Sequence, residues 1–283
     1  MLALPVICHA GSVKQFSLEA TERFGDGLFF PDEQRTRTGM NVIGIDLAWQ
    51  SAKNTSAAAV GNLDGNTLII HGLTEDLDST GAIIDFISAH PDVEGIAIDA
   101  PLIINNVTGQ RSCEKDLSRV YGARKASCHT SNLTLYPDPP SVELANALLG
   151  GGFEHLGQPD HARWQIECYP HPAIIEIFGL QERHQYKKGT AAQKREGQVR
   201  LARLIKRLAD SPVLKLAIDN RLSSCLDESA IQSKRGAALK KNEDALDAII
   251  CAYIAGLYAL GVSGSVYGSA KDGYIYVPKT QCL

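Results

Sequence analysis

The chain has 283 residues, 44% of them hydrophobic and 21% charged, with a formal net charge of −4. That length holds one large domain or two small ones, and the composition is that of a globular core. The slight negative balance gives no argument for a nucleic-acid partner, and no apolar run approaches the roughly 18 residues of a membrane-spanning helix.

Residues 1–39 show no clear period and lack the basic start of a signal peptide, and Met40 stands directly before the first strong strand. They are expected to be a loosely attached extension whose deletion leaves stability and activity intact. Residues 41–49, NVIGIDLAW, form a β-branched, apolar run that reads as a buried strand. Residues 56–61 and 67–73 follow as strands, and the Asp64-Gly65 pair between them is a hairpin signal. Residues 79–90 read as a helix with Thr80 as its cap and Pro91 after its end. GIAIDAP, residues 95–101, is a further buried strand. The order predicts an antiparallel meander of three strands, with the fourth returning beside the first through a helical crossover.

Residues 102–161 are irregular, with a short helix at 141–149, and read as an inserted lid or substrate loop. WQIECY, residues 164–169, is a fifth strand, and a helix begins at Pro172. Residues 193–208 form an amphipathic helix with Leu201, Leu204, Ile205 and Leu208 on one face. The last strong helix spans 243–260, and residues 274–277 close the chain as a short strand. Seven dispersed cysteines without a CxxC pair argue against a zinc ribbon and fit reduced thiols in a cytoplasmic protein.

Acidic residues sit where a cation would be needed. Asp46 and Asp99 each follow apolar residues inside a predicted strand, and a buried carboxylate is costly unless it is paired or bound to a metal. Adjacent strands would make the two acids repel unless a cation lies between them. Asp244 and Asp247, three residues apart, share a helix face. An acidic first turn favoured by the helix dipole is the simpler explanation for Glu243 and partly for Asp244, and a weaker one for Asp247. Hard oxygen donors of this kind suit Mg²⁺ or Mn²⁺. No phosphate loop, HExxH or GxSxG motif competes.

The segments GIDLAW, IDAPL, GARKASCH, ECYPHPA and EDALDA, in that order, resemble the family of predicted RNase H-like nucleases designated domain of unknown function 429, over roughly residues 40–278. The resemblance implies an α/β fold with an RNase H-like mixed five-stranded sheet flanked by helices. It implies metal-ligating acids at Asp46 and Asp99 and in the late helix, where the spacing of Asp244 and Asp247 is similar to that of Holliday-junction resolvases of this fold. Two divalent ions would then activate water and stabilise a leaving oxygen in phosphodiester hydrolysis.

Secondary candidates surround this set. Glu167, in the fifth strand, is either a further ligand or a core acid paired with an arginine such as Arg124. Arg124, Lys125, Ser127 and His171 are candidate substrate contacts, Arg124 with Lys125 through phosphate. Cys128-His129 is too isolated to be a metal pair. Residues 183–241 carry fifteen Lys/Arg and five Asp/Glu, a local net of +10 against −14 elsewhere. Lys187, Lys188 and the basic residues of helix 193–208 could track a nucleic-acid backbone, or form only a solvated face. The expected function is a metal-dependent nuclease on DNA or RNA. A sugar-kinase relative is disfavoured because no glycine follows Asp46. A non-catalytic nucleic-acid- or nucleotide-binding protein on the same scaffold is the alternative.

Overall fold

The computed structural model describes residues 37–50 and 54–283. The sheet has seven strands in the order β5-β6-β4-β1-β2-β3-β7. Strands β1 (Arg37–Asp46), β2 (Ser56–Gly65) and β3 (Thr67–Leu77) form the antiparallel meander, joined between β2 and β3 by a turn in which Gly65 takes a positive φ. Helix α1 (Thr80–Ser88) is capped by Ser79, not Thr80: the Ser79 hydroxyl accepts from the Ala82 amide at 3.1 Å. It leads to β4 (Val93–Asp99), which lies parallel to β1.

The sequence-based count of five strands misses both edges of the sheet. β5 (Phe153–His155) pairs in parallel with β6 (Arg163–Glu167), and β7 (Lys215–Ile218) pairs in parallel with β3. Neither run is long enough for a period-2 pattern to register. The segment 102–161 also contains two helices, α2 (Ser112–Tyr121) and α3 (Pro140–Gly150). Cys113, Leu117 and Tyr121 of α2 pack with Ile275 and Val277 of a terminal hairpin, β8 (Gly264–Ser269) and β9 (Gly273–Pro278). Residues 1–36 lie outside the described residues, so the expected extension is described only from Arg37, where its last residues already belong to β1.

Alternation along the strands divides the core. Ile43, Ile45, Ile96 and Ile98 face α1 and α3, with Ile83, Leu144 and Leu148. Val42, Ala97 and Ile166 face the other side, which α4 (Pro170–Ile177), α5 (Ala191–Arg207) and α7 (Gly236–Ala259) cover; α6 (Glu228–Ser233) is a short helix before α7. A Cβ on Gly44 would stand 1.9 Å from the Ala252 nitrogen and 2.4 Å from the Ala248 oxygen, so α7 lies with its backbone on β1 at that point. Among the described residues no helix is long and apolar enough to cross a membrane.

Candidate acid cluster and its cavity

Parallel strands β1, β4 and β6 all end at one edge of the sheet, the place where α/β proteins present ligand sites. Asp46 and Asp99 are the last residues of their strands and are direct register partners. Asp46 shares its strand face with Val42 and Gly44, and Asp99 shares its face with Ala97, so both lie on the α7 side of the sheet.

Helix α7 starts seven residues before its sequence-based boundary, at Gly236. Asp244 and Asp247 therefore sit in its interior, beyond the reach of the terminal dipole, and an acidic first turn does not explain them. Close approach at Gly44 brings this stretch of α7 onto the sheet. Asp247 is fully buried and Asp244 nearly so.

The charges are answered by side chains that the sequence reading left on a basic surface. The Lys187 ammonium lies 2.7 Å from Asp247 Oδ2 and 4.0 Å from Asp99 Oδ2. Tyr186 donates its hydroxyl to Asp247 Oδ1 at 2.5 Å. The Lys187 contact is an ion pair, and beyond it Oδ2 has no hydrogen-bond partner among the described residues. Lys240 pairs with Asp244 and lies 3.1 Å from Glu243 Oε1.

Burial is the largest influence on the acids, and it opposes ionisation. It raises Asp99 well above the ordinary carboxylate range; Lys187 pulls the other way, while Asp46 and Asp247 add to the rise. Asp244 is pushed up to about 8, first by burial and then by Asp46, against the pull of Lys240. Asp247 is pushed up to about 6 by burial, with Lys187 opposing and Asp46 adding. Burial alone would lower Lys187; Asp247, Tyr186, Asp46 and Asp99 outweigh it and hold the ammonium well above its ordinary value.

Tyr186 and Lys187 reach the acids because their chain segment is pressed against α5. A Cβ on Gly197 would lie 2.1 Å from the Gln185 oxygen, and the His184 ring contacts the Gly197 carbonyl at 2.8 Å. No period or motif marks Lys187 apart from Lys188 beside it, so the sequence gives no signal for its role.

Glu167 belongs to a second ionic group. Its register partner is Ile98, which puts its Cβ on the opposite face from Asp99. Arg111 donates to it twice, at 2.9 and 2.5 Å, and the Leu102 amide donates at 2.9 Å. Arg111 also holds Glu114 at 2.9 Å, and Ser131 donates to the same carboxylate. Burial still lifts Glu167 above its ordinary range, against the lowering effect of Arg111. The arginine expected at Glu167 is therefore Arg111, and Arg124 instead bonds Glu176 at 2.8 Å and the Leu180 carbonyl at 2.6 Å.

A cavity of about 270 Å³ opens over these groups, bordered by Asp46, Asp99, Asp244, Glu167, His171 and Lys187 among others. Of the four expected substrate contacts only His171 lines it. Arg124 is committed as above, Lys125 pairs at the surface with Glu182 at 2.5 Å, and the Ser127 carbonyl accepts from Tyr169 at 3.1 Å. Arg111, Glu114, Cys128 and His129 of the 102–161 segment wall the cavity, as do Arg183 and Lys188.

Carboxylates from two strands and a helix suit a hard divalent cation in donor type, and an ammonium is seated between two of them. The acids spread around that ammonium. Among the described residues no three acidic, histidine or cysteine side chains stand close enough to hold an ion as a group.

Fold and site together define a mixed α/β protein with a buried acid cluster at the carboxyl edge of its sheet. The chain belongs to the family described as protein of unknown function DUF429, whose model matches residues 44–272. No curated protein and no solved structure matches it.

Proposed function

We propose that this protein is a metal-dependent phosphodiesterase acting on nucleic acid, cytoplasmic, and built on an RNase H-like arrangement. The observation that carries the reading is the register pairing of Asp46 with Asp99 at the ends of parallel strands, over a fully buried Asp247. The strand order β3-β2-β1-β4-β6 within the wider sheet supports the RNase H-like reading.

Asp46, Asp99 and Asp247 would hold Mg²⁺ or Mn²⁺, with Asp244 at the edge of the shell. A cation there supplies the positive charge that makes water a better nucleophile and steadies a leaving oxygen. Tyr186 fixes the orientation of Asp247 through its hydroxyl. Lys187 keeps the acids compatible with folding when they are otherwise unneutralised, and it must withdraw from Asp247 for the carboxylates to converge. Glu167, saturated by Arg111 and Leu102, holds the cavity wall in place.

The Lys187–Asp247 contact also favours a second reading, in which the ammonium is the permanent counter-ion and the protein binds nucleic acid or nucleotide without cleaving it. Incubation with labelled single-stranded, duplex and branched DNA and RNA in Mg²⁺, Mn²⁺ or EDTA, beside Asp46→Asn, separates the two. The phosphodiesterase gives cleavage that needs metal and vanishes in the variant. Absence of cleavage on every substrate leaves the binding protein.

A further inference from the structure

His171 and Arg183 line the cavity, and each keeps one nitrogen that is buried from solvent and unpartnered. His171 is 9% exposed and its Nδ1 has no hydrogen-bond partner; Arg183 Nε is buried and equally unpartnered. Native proteins leave few such groups, and each calls for an explanation. His171 stands in the first turn of α4, whose N-terminus has no side-chain cap, so the positive end of that helix also faces this region.

Positive charge collects at the same place. Burial is the first reason that His171 is held well below its ordinary pKa, and Lys187, Arg183, His129 and Lys188 follow in that order. Lys187 has its carboxylates. Among the described residues the Arg183 side chain has only a long contact to the Gln185 side chain at 3.4 Å, and Lys188 has no ion-pair partner. A cavity whose other wall is acidic thus carries a basic wall in Arg183, Lys187 and Lys188.

We infer that Arg183, Lys188, His129 and His171 form a subsite for a phosphomonoester dianion, the terminal phosphate of a nucleic-acid strand or the phosphate of a free nucleotide. A guanidinium, an ammonium and imidazoles lining one cavity match the several oxygens of a phosphate better than the two of a carboxylate. A cavity of about 270 Å³ admits the end of a strand and not the body of a duplex. As a place for substrate the subsite rests on the phosphodiesterase reading, but its affinity for phosphate does not.

The test is calorimetric titration of the full-length protein with inorganic phosphate in EDTA, for wild type, Arg183→Gln and Lys188→Gln, whose folding is checked by melting temperature. Both positions are at least partly exposed, so both variants are expected to fold. The subsite predicts phosphate binding in wild type, weakened roughly tenfold by each change. No binding, or equal binding by folded variants, overturns it. Titration with a 5′-phosphorylated oligonucleotide, its 5′-hydroxyl counterpart and a mononucleotide then identifies the source: preference for the phosphorylated strand supports a strand end, and preference for the mononucleotide supports a free nucleotide. A subsite that binds phosphate in a protein that cleaves nothing would contradict the phosphodiesterase and leave the subsite standing.

Discussion

At the scale of the residue, the acid cluster stores a pH dependence whose sign is fixed. Asp244 and Asp247 hold their protons in the folded state to about 8 and about 6, while in the unfolded chain both ionise near the ordinary value of 3.8. Between those limits the folded protein binds more protons than the unfolded one, so raising the pH favours unfolding. The contribution of the two acids to the melting temperature in EDTA should therefore fall as pH rises from about 4 to about 8, while His155, His171 and His184, lowered by burial, contribute in the opposite sense. Asp244→Asn isolates it: the wild-type melting temperature minus that of the variant should decline over this range, and saturating Mg²⁺ should lift the wild-type curve most at its alkaline end, where the acids are most ionised. A difference that is flat over this range, or that rises, would contradict the charge balance drawn for the cluster. Asp46, Asp99, Asp244 and Asp247 were all legible in the sequence, because an acid inside an apolar run stands out. Their counter-ions were not: Lys187 looks like any member of a basic stretch until Gly197 and the 184–187 segment bring it inward.

At the scale of the element, helix α7 carries the site. Its position depends on Gly44, where any side chain would meet helix backbone with no flexible group to give way. Gly44→Ala should cost at least about 1–3 kcal/mol of stability as an overpacked contact. The displaced helix should also separate Asp247 from Asp46, so metal-induced stabilisation should shrink along with the basal melting temperature. Denaturant unfolding with and without Mg²⁺ measures both; an unchanged response to metal in a destabilised Gly44→Ala protein would mean that α7 does not position the acids. The long elements, β1 to β4 and α5, could be read from period and punctuation. The early start of α7 could not, since GAALKKN carries few apolar residues and its helicity comes from continuity with the buried stretch that follows. β5 and β7, three and four residues long, exist because existing strands offer them an edge, which is tertiary information.

At the scale of the whole molecule, one sheet does two things with its two faces. One face is sealed by α1 and α3 as plain core. The other places α7 over β1 and β4 and opens at the carboxyl edge into a cavity with an acidic and a cationic wall. Reading residues 102–161 as an inserted lid with one short helix at 141–149 hides half of this, because α2 and the Arg111–Glu167–Glu114 group make that segment a packed wall of the cavity. As proposed, Asp46, Asp99 and Asp247 would form a divalent-cation site whose place the Lys187 ammonium takes. Mn²⁺ titration followed by electron paramagnetic resonance, on wild type, Asp99→Asn and Lys187→Ala, tests it most directly. A cation site at these acids gives saturable binding by wild type, loss of binding in Asp99→Asn and tighter binding once the competing ammonium is removed in Lys187→Ala. Absence of Mn²⁺ binding in wild type and in a folded Lys187→Ala protein alike would contradict it.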